Sequence, residues 1–281
     1  MQENSTVLGC VDGSELSCAV AQYAAWIARS IGKPLKFIHA IEHHSKPAPT
    51  DLSGAIGLGA QDDLLEHLSE EEREESKTLL AKGKAALEAA KTCAAKMGVE
   101  AQLSQRHGPL YENLIELQAQ MRVLVLGLRG EESHKIGGQI EEVIRSLHKP
   151  IFLVGQAFSQ PKKAMLAYDG SPSSQKALEM MATAPLFKQL DCHVVHASSA
   201  KADSQKLLDR AGEVLKTGGI DAVLTTVEGE AIGALIGYQN AHDIDFTVMG
   251  AFSHNRFRDA LFGSFTAKMI AQTQKPLLLL R

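Results

Sequence analysis

The sequence predicts an α/β protein built from two tandem copies of an open parallel sheet with helices on both faces. Short apolar runs alternate with longer segments of helical period along the whole chain. The motif Asp12-Gly13-Ser14 returns as Asp169-Gly170-Ser171, and the later landmarks follow in the same order. A length of 281 residues suits two domains of ordinary size. We therefore predict a first domain over residues 1–155 and a second over residues 162–281.

The repeated landmarks mark the ends of predicted strands. His39 and His196 each close an apolar run at the same distance from the aspartate of their copy. Each copy ends with a Lys-Pro pair and a last apolar run, Ile151 to Val154 and Leu277 to Leu280. An unpaired apolar edge strand promotes aggregation. We therefore expect the copies to pack through these strands as a pseudo-dimer within one chain, and association into a homodimer stays open.

The first helix of the chain is predicted over Ala19 to Ile31. Ser14 or Ser17 is expected to cap its start, because a serine hydroxyl can accept a hydrogen bond from a free helical amide. Tyr23 and Trp26 lie on this helix, and we interpret both as packing residues rather than ligand contacts.

The first copy carries an insertion of about 36 residues after its second strand, judged by the spacing of the repeated landmarks. Pro47 to Gly59 is rich in small residues and is predicted to be a loop. Asp62 to about Met97 is rich in Glu, Ala, Lys and Leu, which predicts a long, mostly solvated helix. A role for it as a lid or as a docking site for another protein is the alternative.

A phosphate-binding loop is predicted in the second copy, where residues 248–266 read VMGAFSHNRFRDALFGSFT. An apolar strand ends at Gly250, Ser253 follows, and Gly263-Ser264 open a helix from Phe265 to Gln272. Glycine lets the backbone approach an anion, and the first amides of a helix point at it. The alternative is a loop whose small residues only turn the chain.

The corresponding loop of the first copy has diverged. Gly127 to Gly130 keeps the first two glycines, but six residues separate Gly130 from Gly137, where the second copy has nine. Glu131 and Glu132 place negative charge where an anion would lie. The second loop instead carries three basic side chains, His254, Arg256 and Arg258. We therefore predict nucleotide binding in the second copy, with the first as its structural or regulatory twin.

Composition excludes several other classes of function. The net charge is −4, and neither copy has the basic excess typical of nucleic-acid binding. The apolar runs are strand-sized, so no membrane span is expected, and no secretory signal is visible at the start of the sequence. We predict a cytoplasmic protein without a metal site. The four cysteines show no paired spacing and are interpreted as buried free thiols, Cys10, Cys18, Cys93 and Cys192.

Taken together, these motifs resemble the universal stress protein family over about residues 5–155 and 162–281. The loop is similar to that family's Gly-x2-Gly-x9-Gly-[Ser/Thr] motif, with Ser253 in place of the second glycine. The resemblance implies a five-stranded parallel sheet in each copy, Rossmann-like and similar to the adenine nucleotide alpha hydrolases. It also implies a site in which Asp169 and the backbone near Ala197 surround an adenine, Gly250 lies by the ribose and phosphates, and Ser253, Gly263, Ser264 and Thr266 hold the phosphates.

The leading functional hypothesis is a cytoplasmic stress-response regulator that binds ATP, ADP or AMP, with or without Mg²⁺, in the second copy. It would act on an unidentified protein partner. Without an evident metal-binding acid pair or catalytic base near the loop, no catalytic residue is predicted. The alternatives are a weak ATPase or phosphotransferase of the same fold and a nucleotide-free interaction scaffold.

Overall fold

A computed structural model describes the backbone over residues 5–41, 58–128, 138–198, 201–251 and 264–281. Within these ranges the side chains of residues 58–72, 75, 138, 139, 201, 202 and 264 are not described. The predicted loop from Pro47 to Gly59 lies largely outside the described residues, as do residues 129–137 and 252–263 of the two predicted phosphate loops.

Strands and helices alternate along both halves of the chain. The first half contains β1 (Thr6–Cys10), α1 (Ser17–Ile31), β2 (Leu35–Ile41), α2 (Leu58–Ala95), β3 (Ala101–His107), α3 (Leu110–Leu117), β4 (Met121–Gly127), α4 (Gly138–Ser146) and β5 (Ile151–Val154). The second half contains β6 (Lys163–Ala167), α5 (Pro172–Thr183), β7 (Asp191–Ala197), α6 (Lys201–Thr217), β8 (Ala222–Val227), α7 (Ala231–Ala241), β9 (Phe246–Gly250), α8 (Ser264–Gln272) and β10 (Leu277–Leu280).

The strands form one ten-stranded sheet in the order β3-β2-β1-β4-β5-β10-β9-β6-β7-β8. Each half contributes five parallel strands, and both follow the same internal order. The predicted fold class is therefore confirmed. In each half the strand order reverses beside the first strand, between β1 and β4 and between β6 and β9, and ligands of open α/β sheets bind at such a point.

The two halves join through their last strands, as predicted from the terminal apolar runs. β10 pairs antiparallel with β5, with Leu277 opposite Leu153 and Leu279 opposite Ile151. Every residue of both strands is buried. Because each strand covers the edge of the other, the halves form a pseudo-dimer with one continuous sheet.

An aromatic cluster from both halves packs over this junction. The ring of Phe152 in β5 lies 5.3 Å from the ring of Tyr23 and 5.6 Å from that of Phe246 in β9. Trp26 lies 5.8 Å from Phe246. Tyr23 and Trp26 are 1% and 3% exposed, which confirms their interpretation as packing residues. Helix α1 therefore belongs to the core that holds the halves together.

Helix α2 contains the helical part of the predicted insertion. It spans 38 residues, whereas its counterpart α6 spans 17. It begins at Leu58, a few residues before the predicted start. The described side chains of its middle section are mostly exposed, whereas Leu87, Ala90 and Ala94 nearer its end are buried in the core of the first half. The insertion therefore lengthens α2, and the last turns of α2 pack in the core of the first half as α6 packs in the core of the second.

The predicted serine cap of α1 is wrong. Leu16 is the N-cap residue and makes no side-chain capping bond. The hydroxyl of Ser17 instead donates to the carboxylate of Asp12 and accepts from the amide of Gly13, each over 3.0 Å. The Ser17 hydroxyl therefore stabilises the turn after β1. In the second half Ser171 does cap α5, accepting from the amide of Ser174 over 3.3 Å.

The interpretation of all four cysteines as free thiols is also wrong. Cys18 of α1 and Cys93 of α2 form a disulfide, with Cα atoms 5.8 Å apart. Cys10 and Cys192 are free and buried. The pair was missed because 75 residues separate the two cysteines, and only the packing of α1 against α2 brings them together.

Candidate functional site

A cavity of about 310 Å³ opens at the carboxyl ends of β6, β7 and β9, beside the point where strand order reverses in the second half. Asp169 follows β6, Ala197 ends β7 and Gly250 ends β9, and all three line this cavity. The turn after β6, the start of α5, α7 and the start of α8 complete its walls. Three residues that the family resemblance implies for the site thus surround one space.

The Asp169 carboxylate is held in a short turn that also starts α5. It accepts a hydrogen bond of 3.0 Å from the amide of Ser171. Burial raises the pKa of Asp169, but hydrogen bonds from Ser171 and Ser174 outweigh this, and the pKa lies below its ordinary value. Asp169 is therefore an ionised acceptor at neutral pH, suited to the amino or hydroxyl groups of a ligand and repulsive to phosphate.

His196 has a defined proton arrangement beside the cavity that it helps to line. Its ring Nδ1 lies 2.7 Å from the carbonyl oxygen of Tyr168. Because a carbonyl only accepts, Nδ1 carries the proton, and Nε2 of the neutral ring is an acceptor. The ring thereby fastens the end of β7 to the end of β6, next to Asp169.

Gly250 is required by packing within the protein. A Cβ at this position would lie 2.5 Å from Oγ and 2.8 Å from the carbonyl carbon of Ser173. No ordinary contact is that short, so β9 can approach the start of α5 only because residue 250 lacks a side chain. This explains the glycine by itself, and its position by the ribose and phosphates stays a prediction.

The other predicted phosphate contacts lie at the start of α8. Thr266 is described and is 3% exposed, one residue after Phe265 of the cavity wall. Ser264 begins the helix, but its side chain is not described. Ser253 and Gly263 lie outside the described residues.

Helix α7 supplies cavity residues that motif analysis missed. Ala231 and Leu235, one turn apart on α7, line the cavity together with Val195 and Met249 of the strands. These residues are apolar and follow ordinary core spacing, so nothing in the sequence distinguishes them from packing residues. The one signal in the sequence was Gly229, two residues before the helix, where a φ of 119° favours glycine.

A polar cluster lies two turns further along the same helix. Nδ1 of buried His193 lies 2.9 Å from the hydroxyl of Tyr238, and the Tyr238 ring stacks on His242 at 4.0 Å. Burial lowers the pKa of His193, and His242 and Lys163 lower it further, against an opposing effect of Asp191. The cluster holds α7 on β7 with His193 neutral.

We expect acid to weaken the fold through His193. Its pKa in the folded protein lies below the ordinary value of 6.5, so the unfolded chain takes up the proton first as the pH falls. The contribution of neutral His193 to the free energy of unfolding is therefore complete above pH 6.5. It is lost as the pH falls through the pKa of His193 in the folded protein. Urea unfolding of His193→Asn should show a smaller drop in midpoint between about pH 8 and about pH 5 than the parent protein. An equal drop in both proteins would contradict this role.

The first half presents part of the same arrangement. Asp12 accepts from the amide of Ser14 over 3.0 Å, as Asp169 does from Ser171. Leu110 stands at the start of α3, where the second half has Ala231 at the start of α7. A bulkier side chain therefore occupies the position that lines the cavity in the second half.

No metal-ligand cluster is found within the described ranges, in the sense of three His, Cys, Asp or Glu side chains grouped together. His193 and His196 have separate partners, Tyr238 of α7 and Tyr168 just after β6. None of the described helices is long and apolar enough to cross a membrane.

Comparisons with a family profile and with a known protein both match most of the chain to the same family. The profile described as the universal stress protein family matches residues 3–155 and 197–281. The universal stress protein Slr1230 of Synechocystis sp. is 33% identical over 284 residues, which cover 98% of this chain and 99% of that protein. The chain belongs to the universal stress protein family. Both halves of this universal stress protein are therefore family domains joined in one polypeptide.

Two solved structures share the arrangement of this universal stress protein over its whole length. A universal stress protein from Archaeoglobus fulgidus DSM 4304 aligns with a TM-score of 0.66 and 19% identity, covering 100% of this chain and 99% of that one. The functionally unknown protein PA1789 from Pseudomonas aeruginosa PAO1 aligns with a TM-score of 0.59 and 17% identity, covering 100% and 93%. At these identities the likeness concerns the fold, including the tandem order of the halves.

Proposed function

We propose that the second half of this universal stress protein binds ATP, ADP or AMP in the cavity at the ends of β6, β7 and β9, and that it does so as a cytoplasmic regulator. The observation that carries the proposal is the meeting of Asp169, Ala197 and Gly250 around one cavity. These residues lie at or directly after the ends of three different strands. A volume of about 310 Å³ is at the lower end of the range for small-molecule sites, roughly 300–1,000 Å³.

The chemistry of the walls favours a nucleoside at the inner end. Val195, Leu235, Met249 and Phe265 offer an apolar surface for a flat base. The ionised carboxylate of Asp169 and the Nε2 acceptor of His196 suit the exocyclic amine of adenine or the hydroxyls of ribose. The ionised carboxylate repels phosphate. The base and sugar are therefore assigned to the side of β6 and β7.

The phosphates are assigned to the opposite side, at the start of α8. The free amides of a helix start attract anions, and Ser264 is the first residue of this nine-residue helix. The basic residues of the preceding sequence, His254, Arg256 and Arg258, add positive charge near it in sequence. Ser253, Gly263, Ser264 and Thr266 are the proposed phosphate contacts.

Regulation is proposed over catalysis because of the side chains that line the cavity. Phosphoryl transfer needs carboxylates for Mg²⁺ and a group that orients the nucleophile. Among the described lining residues, Asp169 is the one carboxylate, so no second carboxylate stands beside it to bind Mg²⁺ or to orient a nucleophile. A weak ATPase remains the second candidate, and measuring ADP released from ATP by the purified protein, with and without Mg²⁺, separates the two.

The loop is tested by a matched pair of glycine variants. Gly263→Val should weaken nucleotide binding by roughly 10- to 150-fold, the equivalent of one charge-assisted hydrogen bond lost when the backbone can no longer approach a phosphate. Gly137→Val, at the corresponding position of the first half, should leave the affinity nearly unchanged. Isothermal titration calorimetry on both variants measures this, and loss of binding from Gly137→Val alone would mean that the roles of the halves are reversed.

A further inference from the structure

The two residues of the disulfide between Cys18 and Cys93 differ in their exposure to solvent. Cys18 is exposed on the second residue of α1, whereas Cys93 is 9% exposed and packs in the core of the first half. A thiol reagent in solution can therefore reach the bond from the side of Cys18. Neither cysteine belongs to the cavity of the second half.

The position of Cys18 also favours cleavage of the bond. The first turn of a helix stabilises a thiolate, because the free amides and the helix dipole place positive charge there. A stabilised thiolate is a good leaving group in thiol–disulfide exchange, so this position favours the release of Cys18 from a mixed disulfide, which is the second step of reduction. The two free cysteines have the opposite environment, since burial raises the pKa of both Cys10 and Cys192 to about 12. They remain protonated and unreactive in the folded protein.

The disulfide joins α1 to α2, and these two helices have different roles in the structure. Helix α1 carries Tyr23 and Trp26 into the aromatic cluster between the halves, and its Ser17 shapes the turn at Asp12. Helix α2 carries the insertion. The disulfide closes a loop that includes β2, so opening it relaxes a constraint within the first half.

We propose that Cys18–Cys93 is a reversible redox site, opened by a dithiol reductant that attacks at Cys18. The reductant's thiolate attacks Cys18 Sγ, forming a mixed disulfide and releasing the Cys93 thiolate, which takes up a proton. The second thiol of the reductant then loses its proton and attacks the reductant sulfur that is bonded to Cys18. This attack releases Cys18 as a thiolate. The dithiol leaves as a cyclic disulfide, and two electrons have passed to the protein. The first half thereby responds to thiol redox state through a bond that lies outside the cavity of the second half.

Thiol counting tests the site in the native protein. The oxidised protein should show two alkylatable cysteines after unfolding, and protein equilibrated natively with dithiothreitol should show four. A short pulse of iodoacetamide on the reduced native protein should label Cys18 before Cys93. Removal of the reductant in air should restore the bond. Four free thiols in the oxidised protein would overturn the proposal, as would a bond that dithiothreitol opens only after unfolding.

A stability measurement with a matched variant checks the consequence. A disulfide closing a loop of this size stabilises mainly through the unfolded chain, so reduction should lower the urea midpoint of the parent protein by about 1 M. Cys18→Ser should show the lowered midpoint already, with no further change on adding dithiothreitol. An unchanged parent midpoint on reduction would mean that the bond does not constrain the first half.

Discussion

Truncating Phe152 to alanine should destabilise the whole chain by about 3–5 kcal/mol, as expected for a large aromatic side chain removed from a core. Phe152 is 0% exposed and lies in β5, at the junction of the halves. Its ring contacts Tyr23 of α1 and Phe246 of β9, so its loss opens a space shared by both halves. Urea unfolding, followed by fluorescence and by circular dichroism, measures the change.

Phe158→Ala is the matched control for this variant. Phe158 also packs on Tyr23, at 4.9 Å, but it is only partly buried and lies in the linker between β5 and β6. We expect a distinctly smaller loss. Equal losses from the two variants would contradict the assignment of Phe152 to the shared core. Two separate transitions in the parent protein would show that the junction does not couple the halves.

Filling the cavity should abolish nucleotide binding. Ala197 packs against the cluster that contains Val195 and Leu235, on the side of the sheet that faces α7, and it lines the cavity. In Ala197→Phe the new ring would occupy the space assigned to the base, and we expect the affinity to fall by at least about 100-fold, equivalent to roughly 3 kcal/mol. Isothermal titration calorimetry with ATP and with AMP measures the loss.

Ala40→Phe serves as the control because Ala40 holds the corresponding place in β2 of the first half. It should leave the affinity within about twofold of the parent value, since the proposal places no nucleotide there. Thermal unfolding of both variants shows whether they remain folded at the titration temperature. If folded Ala197→Phe still bound nucleotide tightly, the nucleotide would bind outside this cavity and the proposed site would be wrong.

The architecture was predictable because it repeats and because strand ends are marked. The last strands, Ile151–Val154 and Leu277–Leu280, were predicted with the observed bounds, since four buried residues in a row leave little ambiguity. Their pairing followed from the cost of an uncovered edge. Asp169 and Gly250 were placed at strand ends because aspartate and glycine there recur at matching positions of the two copies.

Features that depend on two distant segments were not predictable in the same way. The bond between Cys18 and Cys93 needs the relative placement of two helices, which residue spacing does not contain. Ser17 was expected at a helix cap, but its hydroxyl had a competing partner in Asp12. The close approach of Gly250 in β9 to Ser173 in α5 also depends on the packing of two separate elements. Apolar cavity residues on α7 look like core residues in any sequence.

The stoichiometry of bound adenine nucleotide tests the central claim most directly. The protein is purified, stripped of ligand by unfolding and refolding, and titrated with ATP, while the material released on first unfolding is identified by mass spectrometry. The account predicts one site per chain, lost in Ala197→Phe and kept in Ala40→Phe, and an adenine nucleotide in the released material. Two equivalent sites per chain, or no binding of ATP, ADP or AMP by the folded protein, would contradict it.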